Sequence, residues 1–64
     1  MILSDFFEKR VNVVCTDGDI LTGYVGDYID PIDNENGKPS IVIDTDSGAL
    51  IELYEDDIKS IKVA

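Results

Sequence analysis

The chain has 64 residues, with fourteen Asp and Glu against five Lys and Arg, no histidine, a single cysteine and a formal net charge of -9 at pH 7. A chain of this size buries only about 60% of its unfolded surface and cannot be divided into two cores, so it specifies one domain with a thin core. The lone Cys15 excludes an intrachain disulfide, the missing histidine excludes Ser/His and Cys/His nucleophilic pairs, and no apolar run approaches the about 20 residues of a membrane-spanning helix.

Leu3-Ser4-Asp5-Phe6-Phe7-Glu8-Lys9-Arg10 reads as a short helix. Ser4 stands as N-cap, the acids come early and the bases late, as the helix dipole favours. Leu3, Phe6 and Phe7 recur at i, i+3 and i+4, which suits a lid laid over the end of a sheet. Met1-Ile2-Leu3 lacks the basic region and apolar stretch of a secretory signal, so a cytoplasmic chain is expected.

Arg10 to Cys15 alternates as a strand with Val11, Val13 and Cys15 on one face. Thr16-Asp17-Gly18-Asp19 is a hairpin turn, since glycine enters positive φ without a Cβ penalty. The second strand, Ile20 to Tyr28, places Leu21, Gly23, Val25 and Asp27 on one face, and Gly23 and Gly26 allow it to bend. Asp30 to Pro39 is the one long loop. Ser40 to Asp44 forms the third strand, Thr45-Asp46-Ser47-Gly48 a second hairpin turn, and Ala49 to Leu53 the fourth strand. Tyr54-Glu55-Asp56-Asp57 fits a single helical turn, and Ile58 to Val63 a short last strand.

A short helix, five strands, a long bent second strand and a one-turn link before the fifth describe a mainly β fold, an SH3-like small barrel. Its predicted core is Leu3, Phe6, Val11, Val13, Leu21, Val25, Ile41, Ile43, Ile51, Leu53, Ile58, Ile61 and Val63. Val14, Tyr24, Val42 and Leu50 fall on outward faces and raise the expectation of a subunit contact.

From Leu3 to Val63 the chain resembles the Sm-like (LSm) family. The residues that carry the likeness are Val11-Asn12-Val13-Val14, the Asp17-Gly18 turn, Gly23-Tyr24-Val25 and Asp57-Ile58-Lys59-Ser60-Ile61. The family's first motif sets glycine, one residue, an apolar residue, then an aromatic residue and aspartate. Gly23, Val25 and Tyr28 match it, whereas Asp30 is displaced by one position. The resemblance implies one Sm-like barrel domain over residues 1–64, with a helix at 3–10 and the barrel at 11–63, and a homo-oligomer, in this family a ring, joined through strand edges. Sm-like proteins that bind uridine-rich RNA use an asparagine in the third loop and an arginine-glycine pair between strands four and five. Here Asn34 stands at a different spacing, and the later loop reads Tyr54-Glu55-Asp56-Asp57 with no arginine.

The candidate binding residues are accordingly Tyr28, Asp30, Asp33 and Asn34 on the long loop side, with Tyr54, Glu55, Asp56 and Asp57 before the last strand. No catalytic residue, metal site or cofactor is expected. Asp17/Asp19 and Asp44/Asp46 are turn aspartates, and the EF-hand spacing fails on the long loop because Ile32 and Ile43 fall where carboxylates are required. Asp30, Asp33 and Glu35 leave an irregular cation site as an alternative. Between Asp27 and Asp57 stand ten acids and one base, Lys38, so phosphate binding by counterion release has the wrong sign there. Lys9, Arg10, Lys59 and Lys62 allow weak RNA binding at most. The functional expectation is a non-enzymatic, self-assembling binding or scaffold module with a basic or neutral protein partner, no membrane and no uridine-RNA site. The alternative is an acidic inhibitor whose carboxylates imitate nucleic-acid phosphates.

Overall fold

Two glycines turn the chain back on itself in the same way. In the computed structural model, which describes residues 1–64, Cys15 and Asp19 enclose one three-residue loop and Thr45 and Ala49 the other. The Cys15 N–H donates to the Asp19 carbonyl at 2.8 Å, and the Thr45 N–H to the Ala49 carbonyl at 2.8 Å. Each loop closes through a left-handed glycine, Gly18 at φ 96° and Gly48 at φ 91°.

These hairpins and the long loop order five antiparallel strands: β1 (Arg10–Cys15), β2 (Ile20–Ile29), β3 (Ser40–Thr45), β4 (Leu50–Tyr54) and β5 (Ile58–Val63). The sheet runs β4-β3-β2-β1-β5, so hydrogen bonding ends at β4 and β5 and the sheet is not closed. Single 3-10 turns lie at Leu3–Phe6, Pro31–Asp33 and Glu55–Asp57. No helix is long and apolar enough to cross a membrane.

One face of this sheet supplies the core: Val11, Val13 and Cys15 of β1, Val25 of β2, Ile41 and Ile43 of β3, Leu53 of β4 and Ile58 of β5, capped by Leu3. Leu53 and Ile58 are 7% and 5% exposed although both stand on edge strands, so the sheet curls over its own inner face. The smallest dimension of the molecule, 20 Å, agrees with two layers about 10 Å apart rather than one flat layer. Phe6, Leu21, Ile51 and Ile61 pack against the core half-buried, as does Tyr28. Each fully buried aliphatic side chain contributes about 1.5–3 kcal/mol against the entropy of ordering it.

The expected helix over residues 3–10 is replaced by the four-residue 3-10 turn. The reason is competition for backbone groups. Val25 uses the Glu8 N–H through its carbonyl and the Lys9 carbonyl through its own N–H, both at 2.9 Å. Glu8 turns to φ 61° to make these bonds, which ends any helix before β1. Ser4 is not the cap; Ile2 precedes the turn and no side chain caps it. Leu3 is buried and Phe6 half-buried, but Phe7 is 42% exposed, so two residues rather than three form the lid.

The other departures have equally local causes. Val25 pairs with Ile43 and Asp27 with Val42, so Gly26 is an extra residue in β2 and the register slips there. The bulge turns Asp27 outward and brings Tyr28 inward beside Ile41. Val63 lies on the inner face opposite Val11, but at the open rim where nothing covers it, and it is 54% exposed. The fourth strand runs one residue later than expected, over Leu50–Tyr54. Of the outward residues, Tyr24 and Leu50 are exposed while Val14 and Val42 are half-buried.

Candidate binding site

The β2–β3 loop is built from its own side chains. Pro31 opens a 3-10 turn, where its missing N–H costs nothing, and Gly37 at φ 69° returns the chain toward β3. Asn36 accepts the Lys38 N–H through Oδ1 at 3.0 Å. Asn34 then bridges loop and sheet: its Nδ2 donates to the Lys38 carbonyl at 2.8 Å and to Ser40 Oγ at 3.0 Å. Ser40, fully buried, donates onward to Glu52 Oε2 on β4 at 2.8 Å. Lys38 forms an ion pair with Asp56 of the turn before β5. Loop, β3, β4 and final turn are thus tied together at one end of the sheet.

Tyr28 belongs to the same end. Burial pushes its phenol above the usual range, and the carboxylates of Asp30 and Glu55 add to the shift. Tyr28 therefore stays protonated well beyond neutral pH. The Lys38 ammonium is likewise pushed up, chiefly by its hydrogen bond to Asp56. Tyr54 pairs with Ser40 across β3 and β4, and its N–H donates to Asp57 Oδ2 at 2.9 Å.

Of the eight candidate residues, Tyr28, Asp30, Asn34, Tyr54, Glu55 and Asp56 gather at this end. Asp33 is exposed at the outer turn of the loop. Asp57 bridges two regions: its Oδ2 accepts the Tyr54 N–H at 2.9 Å, while its carbonyl accepts the Thr16 N–H at 2.9 Å and joins it to the first hairpin. Chemically, the assembled end offers acceptors. Both Asn34 amide hydrogens are engaged within the fold, so that side chain has no donor free for a base, and the Lys38 ammonium spends its charge on the ion pair with Asp56. No group of three acidic or cysteine side chains converges as a metal-binding set, including Asp30, Asp33 and Glu35.

Two clefts mark the surface, and neither lies under the long loop. One, of about 400 Å³, runs between the first 3-10 turn and β5, lined by Met1, Ile2, Asp5, Phe6, Lys59, Ser60 and Ile61. The other, of about 280 Å³, is lined by Cys15, Thr16, Asp17, Asp19, Leu21, Ile51, Leu53 and Asp57. Burial pushes the Cys15 thiol up, and Asp17, Asp19 and Asp57 push it further. The thiolate is correspondingly scarce at neutral pH.

No family model, curated protein or solved structure matches the chain. Its site has to be read from its own residues.

Sequence reasoning missed Lys38, Ser40 and Glu52. Alternation places Ser40 on the face opposite Ile41 and Ile43, beside Val42, so the sequence carried no signal of its burial. Removing that hydroxyl in Ser40→Ala leaves Asn34 and Glu52 each short of a partner. It is expected to cost about 1–2 kcal/mol, read as a fall in Tm by thermal circular dichroism. The Arg10–Asp46 ion pair, at 2.8 Å with both side chains more than half exposed, contributes far less.

Proposed function

We propose that the chain is a non-enzymatic, SH3-like and specifically Sm-like small barrel that self-assembles through its strand edges and serves as a binding or scaffold module without a uridine-RNA site. The supporting fold features are the bent β2, the curled sheet and the single 3-10 turn before β5. The observation that carries the assembly reading is that the two free edges have opposite charge. β4 bears Glu52 and leads into Glu55, whereas β5 bears Lys59 and Lys62, and none of these four has an ion-pair partner in the chain. Each edge also carries an exposed apolar residue, Leu50 at 75% and Val63 at 54%. Pairing β4 of one copy with β5 of the next sets acids against lysines and covers both apolar residues; pairing like edges sets acid against acid. Such a head-to-tail contact builds a ring when its rotation closes.

Sedimentation of the wild-type chain at high micromolar concentration is expected to give an oligomer, and the Lys59→Glu/Lys62→Glu variant a monomer. A monomeric wild-type chain removes the assembly reading. A basic or neutral protein is the proposed partner and the cytoplasm the proposed setting.

The acidic nucleic-acid mimic is the weaker reading. It calls for the long loop, the second hairpin and the final turn to form one stripe. Ser40 begins β3 beside the loop and Thr45 ends it at the second hairpin, so those acids stand ~17 Å apart along the strand. Asp46 at the far end is ion-paired with Arg10, which also withdraws Arg10 from the expected basic patch.

A further inference from the structure

The cleft beside the first hairpin plays no part in the proposed assembly chemistry, and its walls have a distinct composition. Leu21 of β2 with Ile51 and Leu53 of β4 make an apolar floor, and Asp17, Asp19 and Asp57 supply carboxylates around it. Cys15 also faces the cleft. It is a free cysteine, only 6% exposed. Its thiol takes no part in the side-chain hydrogen bonding around it, which includes Asp19 N–H to Asp17 Oδ1 at 2.9 Å, Tyr54 N–H to Asp57 Oδ2 at 2.9 Å and Thr16 Oγ1 to the Asp57 carbonyl at 3.5 Å.

We propose that this cleft receives the side chain of an arginine on a basic segment of a partner protein. Size favours a single side chain, because about 280 Å³ falls just below the roughly 300–1,000 Å³ of pockets that take drug-sized ligands. The floor suits an aliphatic stem and the carboxylates a cationic head, the division of labour by which long basic side chains bury their methylenes. Asp17 and Asp57 each accept one backbone N–H, but no cation of the fold meets these carboxylates, since the two ion pairs are Arg10–Asp46 and Lys38–Asp56 and neither reaches the cleft. A metal ion is a poor occupant, for no three carboxylates converge. Phosphate-bearing ligands are repelled. Arginine fits better than lysine because its planar fork meets carboxylates from two different elements and it gives up its hydration more readily. The hairpin supplies Asp17 and Asp19, and the turn before β5 supplies Asp57. The occupant therefore spans the junction that the Thr16 N–H to Asp57 carbonyl bond already holds at 2.9 Å.

The test is methyl NMR of the intact chain titrated with a short Gly/Ser peptide carrying one arginine, and with the same peptide carrying neutral citrulline. Saturable shifts of the Leu21, Ile51 and Leu53 methyls with the arginine peptide, absent with citrulline, are expected. The Asp19→Asn variant removes a carboxylate that makes no bond within the fold and is expected to weaken binding about fivefold. Asp33→Asn removes the same charge from the long loop and is expected to weaken it by less than about 1.5-fold, since screening limits remote charges to about 8 Å. Equal response to citrulline, shifts centred on Tyr28 and Tyr54, or equal weakening by the two variants would each overturn the proposal. Asp19 lies off both assembly edges, so the comparison of Asp19→Asn with Asp33→Asn reads the cleft and not the oligomeric state.

Discussion

Gly23→Ala is expected to destabilise the domain by about 3 kcal/mol or more and to lower Tm by at least about 12 °C, measured by thermal circular dichroism. Gly23 sits in the middle of β2, paired with Val11 on one side and Thr45 on the other. A Cβ built there lies 2.2 Å from the Asp44 carbonyl oxygen, 2.8 Å from Thr45 Cα and 2.9 Å from the Asp44 carbonyl carbon. All three are backbone atoms of a neighbouring strand, so no rotamer change relieves the overlap. Either β2 and β3 separate or the curl opens, and each exposes Val25 and Ile43. A small core of this kind rarely supplies more than about 3–5 kcal/mol in total, so the loss takes most of the stability. Gly26→Ala is the internal control. Open space surrounds that position and its φ lies outside the left-handed region, so the change is expected to stay within about 0.5 kcal/mol. Equal destabilisation by the two substitutions would show that the close approach of β2 to β3 is not what Gly23 provides.

Ile41→Ala carries the second large effect, about 2–5 kcal/mol. Ile41 has no exposed surface, and its register partners are Tyr28 on β2 and Leu53 on β4. It is the residue after Ser40, so it anchors from beneath the end of the sheet where loop and final turn meet. Truncation leaves a cavity between a central and an edge strand and loosens Tyr28, whose packing depends on the Gly26 bulge. Urea denaturation is expected to show a lower midpoint at unchanged slope. A loss under about 1 kcal/mol would mean that the curled sheet collapses freely around the gap.

Much of this architecture was legible because it is local. The bounds of β1 follow from alternation that a few residues display, and Asp17-Gly18 and Ser47-Gly48 announce their hairpins by chemistry alone. The illegible parts are those in which distant groups compete. The N-terminal segment has a respectable helical pattern, but Val25 claims the Glu8 N–H and the Lys9 carbonyl, and a sequence window contains no sign of Val25's unmet needs. The direction of Tyr28 depended on where in β2 the extra residue falls; either glycine was eligible, and only pairing with β3 selects Gly26. At the candidate site the long loop and the final turn do meet. Which donors are spent there, Asn34 on Ser40 and Lys38 on Asp56, depends on a side-chain network spanning three elements. The cleft at Cys15 draws on β1, β2, β4 and the last turn, and so left no contiguous trace.

The position of β5 carries a kinetic consequence. β1 to β4 pair as successive hairpins, each closing a loop between neighbours in the chain, while β5 pairs with β1 across roughly fifty residues, from Val11 to Val63. The entropic toll of joining distant ends falls on that one pairing, which makes it the costliest step in forming the sheet. Until it forms, Ile58 has no place in the core, β1 is itself an edge, and the first four strands expose the aliphatic face that β5 helps to cover.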